Sequence, residues 1–245
     1  MKVFTYLYLI LIASTIAQAS SVELIGGAPA FDGEYPSVVY VSVDNARCSA
    51  AVVGERVLLL AAHCIGESKR VFFERFNKSY AGRCEVAPGY KKNDTADWAL
   101  CKLSEPVEGG AYETINQDAG LVQLGDLILL MGYGCTTGGR GGAGGNDGTL
   151  RIGTAPVISI PAGEVFDVVT QGDRALCFGD SGGPAFKDLP GSRRVVIGVN
   201  SRGDIQTTSY LSSVSVRQAR EFFKGWSERN GVEICGIHEG AVGCR

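Results

Sequence analysis

Only two histidines occur in the 245 residues, and no two cysteines stand in a CxxC pair. A structural zinc site is therefore not expected. Past residue 19, no apolar run approaches the roughly eighteen residues that a membrane helix needs. No strong basic block is present and the formal net charge is only −3, which makes nucleic acid a poor partner. Helical patterning is scarce as well. The charged fraction of 20% and the mixed composition exclude a disordered chain, a collagen or a coiled coil.

The first nineteen residues are of another kind. Lys2 gives a positive start, Val3 to Ala13 is almost wholly apolar, and Ala17-Gln18-Ala19 puts small residues where a signal peptidase reads them. Residues 1–19 are expected to be a secretory signal, leaving a short leader at 20–23. Losing Lys2 takes the formal charge from −3 to −4. All eight cysteines lie beyond this segment. An exported chain meets oxidising conditions, so an even count points to disulfides, with spacing alone leaving the pairing open.

Val38 to Val43, Val52 to Leu60, Val71 to Phe76, Leu127 to Gly132, Val157 to Ile160 and Val195 to Val199 are short runs of branched or aromatic residues separated by turn formers. This predicts an all-β body. Only Val214 to Arg229 spaces its apolar residues as a helix does. Thr137 to Gly148 has almost no side chains to bury and reads as a loop; it lacks the lysine and hydroxyl of a nucleotide-binding P-loop. Polar Gly109 to Gly120 separates two strand-rich halves.

Three short stretches carry candidate chemistry. His63 ends an apolar run and has small neighbours, Ala61 and Ala62, which leave room for an approaching group. Asp97 is set among apolar residues in Thr95-Ala96-Asp97-Trp98-Ala99-Leu100, where a carboxylate needs a hydrogen-bonding partner such as an imidazole N–H. Ser181 lies in Gly179-Asp180-Ser181-Gly182-Gly183-Pro184. Glycines there let the backbone bend sharply and leave N–H groups free to face a developing oxyanion.

The order His, Asp, Ser, within AAHC, DWAL and GDSGGP, together with Leu24-Ile25-Gly26-Gly27, closely resembles the chymotrypsin/trypsin family of serine proteases (peptidase family S1). The resemblance spans about Leu24 to Trp226. It implies two six-stranded antiparallel β-barrels with a C-terminal helix: barrel one about 30–115, barrel two about 120–212, the helix about 214–229 and a disulfide-closed tail at 230–245. It implies a secreted serine endopeptidase in which Ser181 attacks, His63 is general base and then acid, and Asp97 orients the imidazole. The N–H groups of Gly179 and Ser181 would form the oxyanion hole. No metal or organic cofactor is implied; the partners are protein or peptide substrates and an activating protease, and the enzyme is expected to be a monomer.

The resemblance also implies an activation pair, the freed amine of Leu24 with Asp180. Here Glu23 precedes Leu24, where trypsin-like activators want Arg or Lys. Ala175 takes the floor of the primary pocket and brings no charge for Lys or Arg. Gly203 leaves one wall open, Thr208 narrows the opposite wall and Phe178 flanks the mouth, which favours small or medium uncharged side chains. Ser201 matches the serine that hydrogen-bonds near the catalytic aspartate. Arg202 departs from the family, which has an aromatic residue at this place. Cys48–Cys64 matches the family disulfide beside the histidine. The family's partner for Cys177 lies beyond Gly203, where this chain has none before Cys235, and Cys135 is the best available substitute. Cys84–Cys101 and Cys235–Cys244 are the remaining expected pairs. His238, between the last two cysteines, reads as a surface residue. Asn77-Lys78-Ser79 and Asn93-Asp94-Thr95 fit glycosylation sequons that only a eukaryotic host would use.

Two other readings remain open. One is a non-catalytic or constitutively zymogen-like binding protein on the same fold, favoured by Glu23, Leu24 and Arg202. The other is an esterase on an α/β-hydrolase scaffold, which would need its acid and histidine after the serine.

Overall fold

The computed structural model describes residues 24–31, 33–138, 144–145, 148–191 and 193–245. The expected signal and leader, and the centre of the glycine-rich loop, lie outside the described residues. The strands are β1 (Ala28–Pro29), β2 (Val38–Val43), β3 (Ala46–Gly54), β4 (Val57–Leu60), β5 (Arg70–Arg75), β6 (Lys78–Val86), β7 (Ala99–Leu103), β8 (Leu127–Gly132), β9 (Arg151–Ser159), β10 (Asp167–Gln171), β11 (Pro184–Leu189), β12 (Arg193–Gly203) and β13 (Thr208–Ser213), followed by helix α1 (Arg217–Asn230).

They form two closed six-stranded antiparallel barrels. The first runs β2-β3-β4-β7-β6-β5. The second runs β8-β9-β10-β13-β12-β11 and back to β8, with β1 added to β9. Closure removes the open edges that would otherwise invite pairing with another chain.

The apolar run Val52–Leu60 is two strands rather than one. It turns at Glu55-Arg56, and β3 and β4 pair as a hairpin. Gly54, the last residue of β3, leaves no room for a side chain, since a Cβ there would fall 2.2 Å from the backbone carbonyl oxygen of Glu233. Strands β6, β10, β11 and β13 carry too many Lys, Arg, Gly, Ser or Thr residues for the apolar pattern to reveal them.

The barrels meet along a buried seam. Glu113 is fully buried and held by Ser37 Oγ at 2.6 Å and by both arms of Arg194, at 2.6 and 3.1 Å. Trp98 stacks on Phe166 and donates its Nε1–H to the Ser212 carbonyl at 3.2 Å. A buried carboxylate left without its cation would cost several kcal/mol, so the Glu113–Arg194 pair fixes how the barrels sit. Beyond α1 the tail folds back: Tyr112 N–H bonds to Gly243 O at 2.8 Å, and Cys235 N–H to Val53 O at 2.8 Å. His238 is not a free surface residue. It is half-buried, its Nδ1 accepting the Ile234 N–H at 3.0 Å and its Nε2 lying 3.3 Å from Ser227 Oγ.

Four disulfides join Cys48–Cys64, Cys84–Cys101, Cys135–Cys177 and Cys235–Cys244. Cys84 and Cys101 face each other directly across β6 and β7.

Candidate active site

His63 sits in a single 3₁₀ turn, Ala62–Cys64, that follows β4. The Cys48–Cys64 bond ties this turn to β3. Asp97 lies just before β7 and is 1% exposed. One of its oxygens accepts the backbone N–H of His63 at 2.9 Å. The other accepts His63 Nδ1 at 2.6 Å and Ser201 Oγ at 2.6 Å. A carboxylate can only accept, so the Nδ1 position carries the proton and Nε2 is left as the basic nitrogen. Burial pushes Asp97 upward, but the donors from His63 and Ser201 outweigh it and hold the carboxyl below the ordinary range.

Ser181 comes from the segment before β11. Its carbonyl accepts the Ser49 N–H at 2.8 Å and lies 3.7 Å from Cys64 Sγ, which brings it beside the histidine turn. Among the described residues no hydrogen bond joins Ser181 Oγ to His63, and such bonds are often long before substrate binds. The N–H groups of Gly179 and Ser181 have no acceptor among the described residues. Gly179 has φ +103°, a conformation that L side chains avoid. Gly182 is needed for space, since a Cβ would fall 2.4 Å from Ser49 O.

Asp180 points away from Ser181 into the protein and is fully buried. Its carboxylate accepts the N–H groups of Gly134 and Cys177, each at 2.8 Å. Burial pushes it up to about 7, against the pull of those two donors and the charge of Arg151. Leu24 is also fully buried and packs in the second barrel's core. Its neighbour Ile25 accepts the Ala175 N–H at 2.9 Å, so the Leu24-Ile25-Gly26-Gly27 segment lies against the expected pocket floor.

Ala175 is fully buried and Phe178 is 63% exposed. Gly203 faces β13, where a side chain would meet Thr208 O at 2.6 Å. Thr208 is half-buried, and its hydroxyl lies 3.2 Å from Gln171 Nε2. The next residue, Ser209, is buried and its Oγ accepts the Leu176 N–H at 3.0 Å.

Arg202, beside Ser201, lays its guanidinium over Tyr210 at 5.0 Å and pairs with Asp167 at 2.5 Å. Burial pushes Asp167 up to about 6, with Arg202 opposing and Asp94 and Asp97 adding to the rise. Neither Asp167 nor Ser49 carries a signal in the sequence. Each becomes relevant only when strands from different places are brought together.

An aspartate-oriented histidine and a serine at a glycine turn with free N–H groups, set between two barrels, make the chemistry of acyl transfer available. The trypsin family model matches residues 24–220. The chain belongs to the trypsin family. It is a serine-type endopeptidase, acting on protein substrates. A trypsin-like protease of Streptomyces glaucescens is 28% identical over 215 residues, covering 77% of this chain and 75% of that protein. The beta-fibrinogenase mucrofibrase-5 of Protobothrops mucrosquamatus is 25% identical over 198 residues, covering 72% of this chain and 77% of that protein. The serpentokallikrein-2 venom serine protease of the same snake is 26% identical over 139 residues, 51% of this chain and 54% of that one.

Proposed function

We propose that this chain is a secreted endopeptidase working through Ser181, His63 and Asp97. The observation that carries the reading is the 2.6 Å contact between His63 Nδ1 and a buried, ionised Asp97 that also holds Ser201. His63 Nε2 takes the Ser181 proton as Oγ attacks the scissile carbonyl, and the imidazolium is stabilised by Asp97. The N–H groups of Gly179 and Ser181 receive the oxyanion, the amine leaves with the proton from His63, and water then hydrolyses the acyl-enzyme.

The primary pocket takes small or medium uncharged side chains. Ala175 offers no charge at its floor, Gly203 leaves one wall open and Thr208 narrows the opposite wall. Residues 1–19 direct export, and a protease that cuts before Leu24 frees its amine. The ammonium then pairs with Asp180, whose buried carboxylate is otherwise pushed up to about 7. The mature enzyme is a monomer.

The test is the N-terminus of the secreted protein together with fluorophosphonate titration of the same sample. A start at Leu24 with one label per chain, lost in Ser181→Ala, is the expected result. A start at Leu24 without labelling would overturn the enzyme reading in favour of a binding protein. A start at Ser20 with full labelling would overturn the activation step alone.

A further inference from the structure

Five cations converge on the outer face of the first barrel, although the chain as a whole is acidic. Arg56, Lys69, Arg70, Arg83 and Lys102 line an open groove of 890 Å³, with exposed Phe72 among them. They come from the β3–β4 turn, the approach to β5, and β5, β6 and β7. Arg70 stands directly opposite Arg83, and Arg83 directly opposite Lys102. Three like charges therefore form a straight row across three neighbouring strands, on one face of the sheet.

That arrangement works against the fold. Like charges directly opposite each other destabilise a strand pair. The groove's own carboxylate does not relieve the row: Glu85 reaches Arg229 and Asn230 on the helix instead. Lys102 is bonded to the Asn230 carbonyl at 2.6 Å, and Arg56 to the carbonyls of Leu103 and Ser104 at 3.1 and 2.5 Å, so these two are held in place without being neutralised. Lys69 takes a left-handed backbone conformation, φ 52°, which side-chain-bearing residues seldom adopt. The sheet thus keeps an uncompensated cationic row in a concave surface, which is what an extended anion would complement.

We infer that this groove binds a linear sulfated polysaccharide, its sulfates on Arg70, Arg83 and Lys102 and a sugar ring against Phe72. Three features favour this occupant. Neighbouring strands repeat at about 4.8 Å, so the row presents charge along about 10 Å, as a polymer with closely repeated anions requires. A single exposed aromatic is too few for single-stranded nucleic acid, which stacks successive bases on aromatic side chains. A concave sheet face with one apolar side chain does not suit a flat bilayer. The four disulfides fit the extracellular surroundings in which such polymers occur.

The test is fluorescence anisotropy with a labelled heparin dodecasaccharide at 150 mM salt, on the full secreted chain and on Arg70→Gln/Arg83→Gln/Lys102→Gln. Binding is expected to weaken at least tenfold in the variant and to fall steeply with salt in the parent. The variant should melt no lower than the parent, because the like-charge row is gone, and should cleave a short peptide substrate unchanged. Neutral dextran, polyglutamate and an oligothymidylate of equal charge are the controls. Equal or tighter binding of polyglutamate or the oligonucleotide would overturn the inference in favour of those partners. Heparin binding that survives the triple substitution, or no heparin binding at this salt, would overturn it outright.

Discussion

Ser49 Oγ, from the first barrel, donates to the carbonyl of Gly179 at 2.8 Å and accepts the N–H of Tyr133 at 2.9 Å. Gly179 is one of the two residues proposed to receive the oxyanion, and Tyr133 lies next to Gly134, which holds Asp180. One buried hydroxyl thus holds the Gly179–Asp180 peptide, which lies between the two N–H groups proposed to receive the oxyanion, and the segment that anchors Asp180. A peptide whose carbonyl is held has its following N–H groups aimed in advance, and such preorganisation is a large part of acyl-transfer catalysis. Ser49 is a positioning residue. Ser49→Ala removes a hydrogen bond worth about 1–1.5 kcal/mol, and kcat should fall about tenfold with KM nearly unchanged. A rise in KM with kcat intact would mean that Ser49 shapes the substrate site instead.

Asp97→Asn tests the orientation of the imidazole directly. An amide in place of the carboxylate can donate to Nδ1, which favours the tautomer with its proton on Nε2, where it cannot accept from Ser181. The expected loss in kcat is about 10⁴-fold, with the fold unchanged by circular dichroism. A loss below about tenfold would remove Asp97 from the mechanism.

How much of this was readable beforehand depends on where the information sits. Asp97 and Ser181 stand out in the sequence because each lies in a local run of unusual composition: an acid among apolar residues, and a hydroxyl among glycines. Leu127 to Gly132 reads as a strand because its apolar residues are contiguous, and it forms β8. Ser49, Asp167 and Ser209 have unremarkable neighbours, and their roles arise from contacts across strands. The cationic groove is the clearest case. No basic block exists in the chain, because its five cations are scattered from residue 56 to residue 102 and only the β5-β6-β7 register gathers them.

Arg202 and Asp167 should show a pH-dependent coupling. Their bond needs an ionised Asp167, and burial raises that carboxyl to about 6. The pair is therefore intact above that pH and fades as pH falls through it. Arg202 is still about one third exposed, so solvent weakens the bond. Arg202→Ala should cost about 1–2 kcal/mol at pH 8 and clearly less at pH 5, as read from urea midpoints. An equal cost at both pH values would show that Arg202 acts through its stacking on Tyr210 and not through charge.

The Cys135–Cys177 bond, spanning a separation of 42 residues, ties the glycine-rich loop to the segment before Gly179. Loop-closure entropy alone puts its contribution near 4 kcal/mol, so Cys135→Ala/Cys177→Ala should melt well below the parent. Cys177 also donates its N–H to Asp180, so kcat should drop even at temperatures where the variant remains folded. A variant that is less stable but fully active when folded would confine the disulfide to a structural role.

Asp180 supplies the sharpest test of activation, because its ionisation should change sign as a stability effect when the chain is cut. In the uncut chain its carboxyl is raised from the ordinary value to about 7. Below about pH 3.9 it is protonated in both the folded and unfolded forms and contributes nothing. Between there and about 7 the unfolded chain has released the proton while the folded chain retains it, so stability falls as pH rises. A free Leu24 ammonium reverses this. The ion pair lowers the carboxyl below its unfolded value, and the stabilisation is then present above about pH 4 and lost only in stronger acid. The comparison is best made in Ser181→Ala, to prevent self-digestion, with a specific cleavage sequence replacing Ser20–Glu23. Melting temperatures of cut and uncut chains should converge only in acid well below about pH 4, where the paired carboxyl is protonated as well, and separate steadily from there up to about pH 7, the cut form being higher. Separation that does not vary with pH would mean that the new terminus stabilises by packing Leu24 alone, without an ion pair at Asp180.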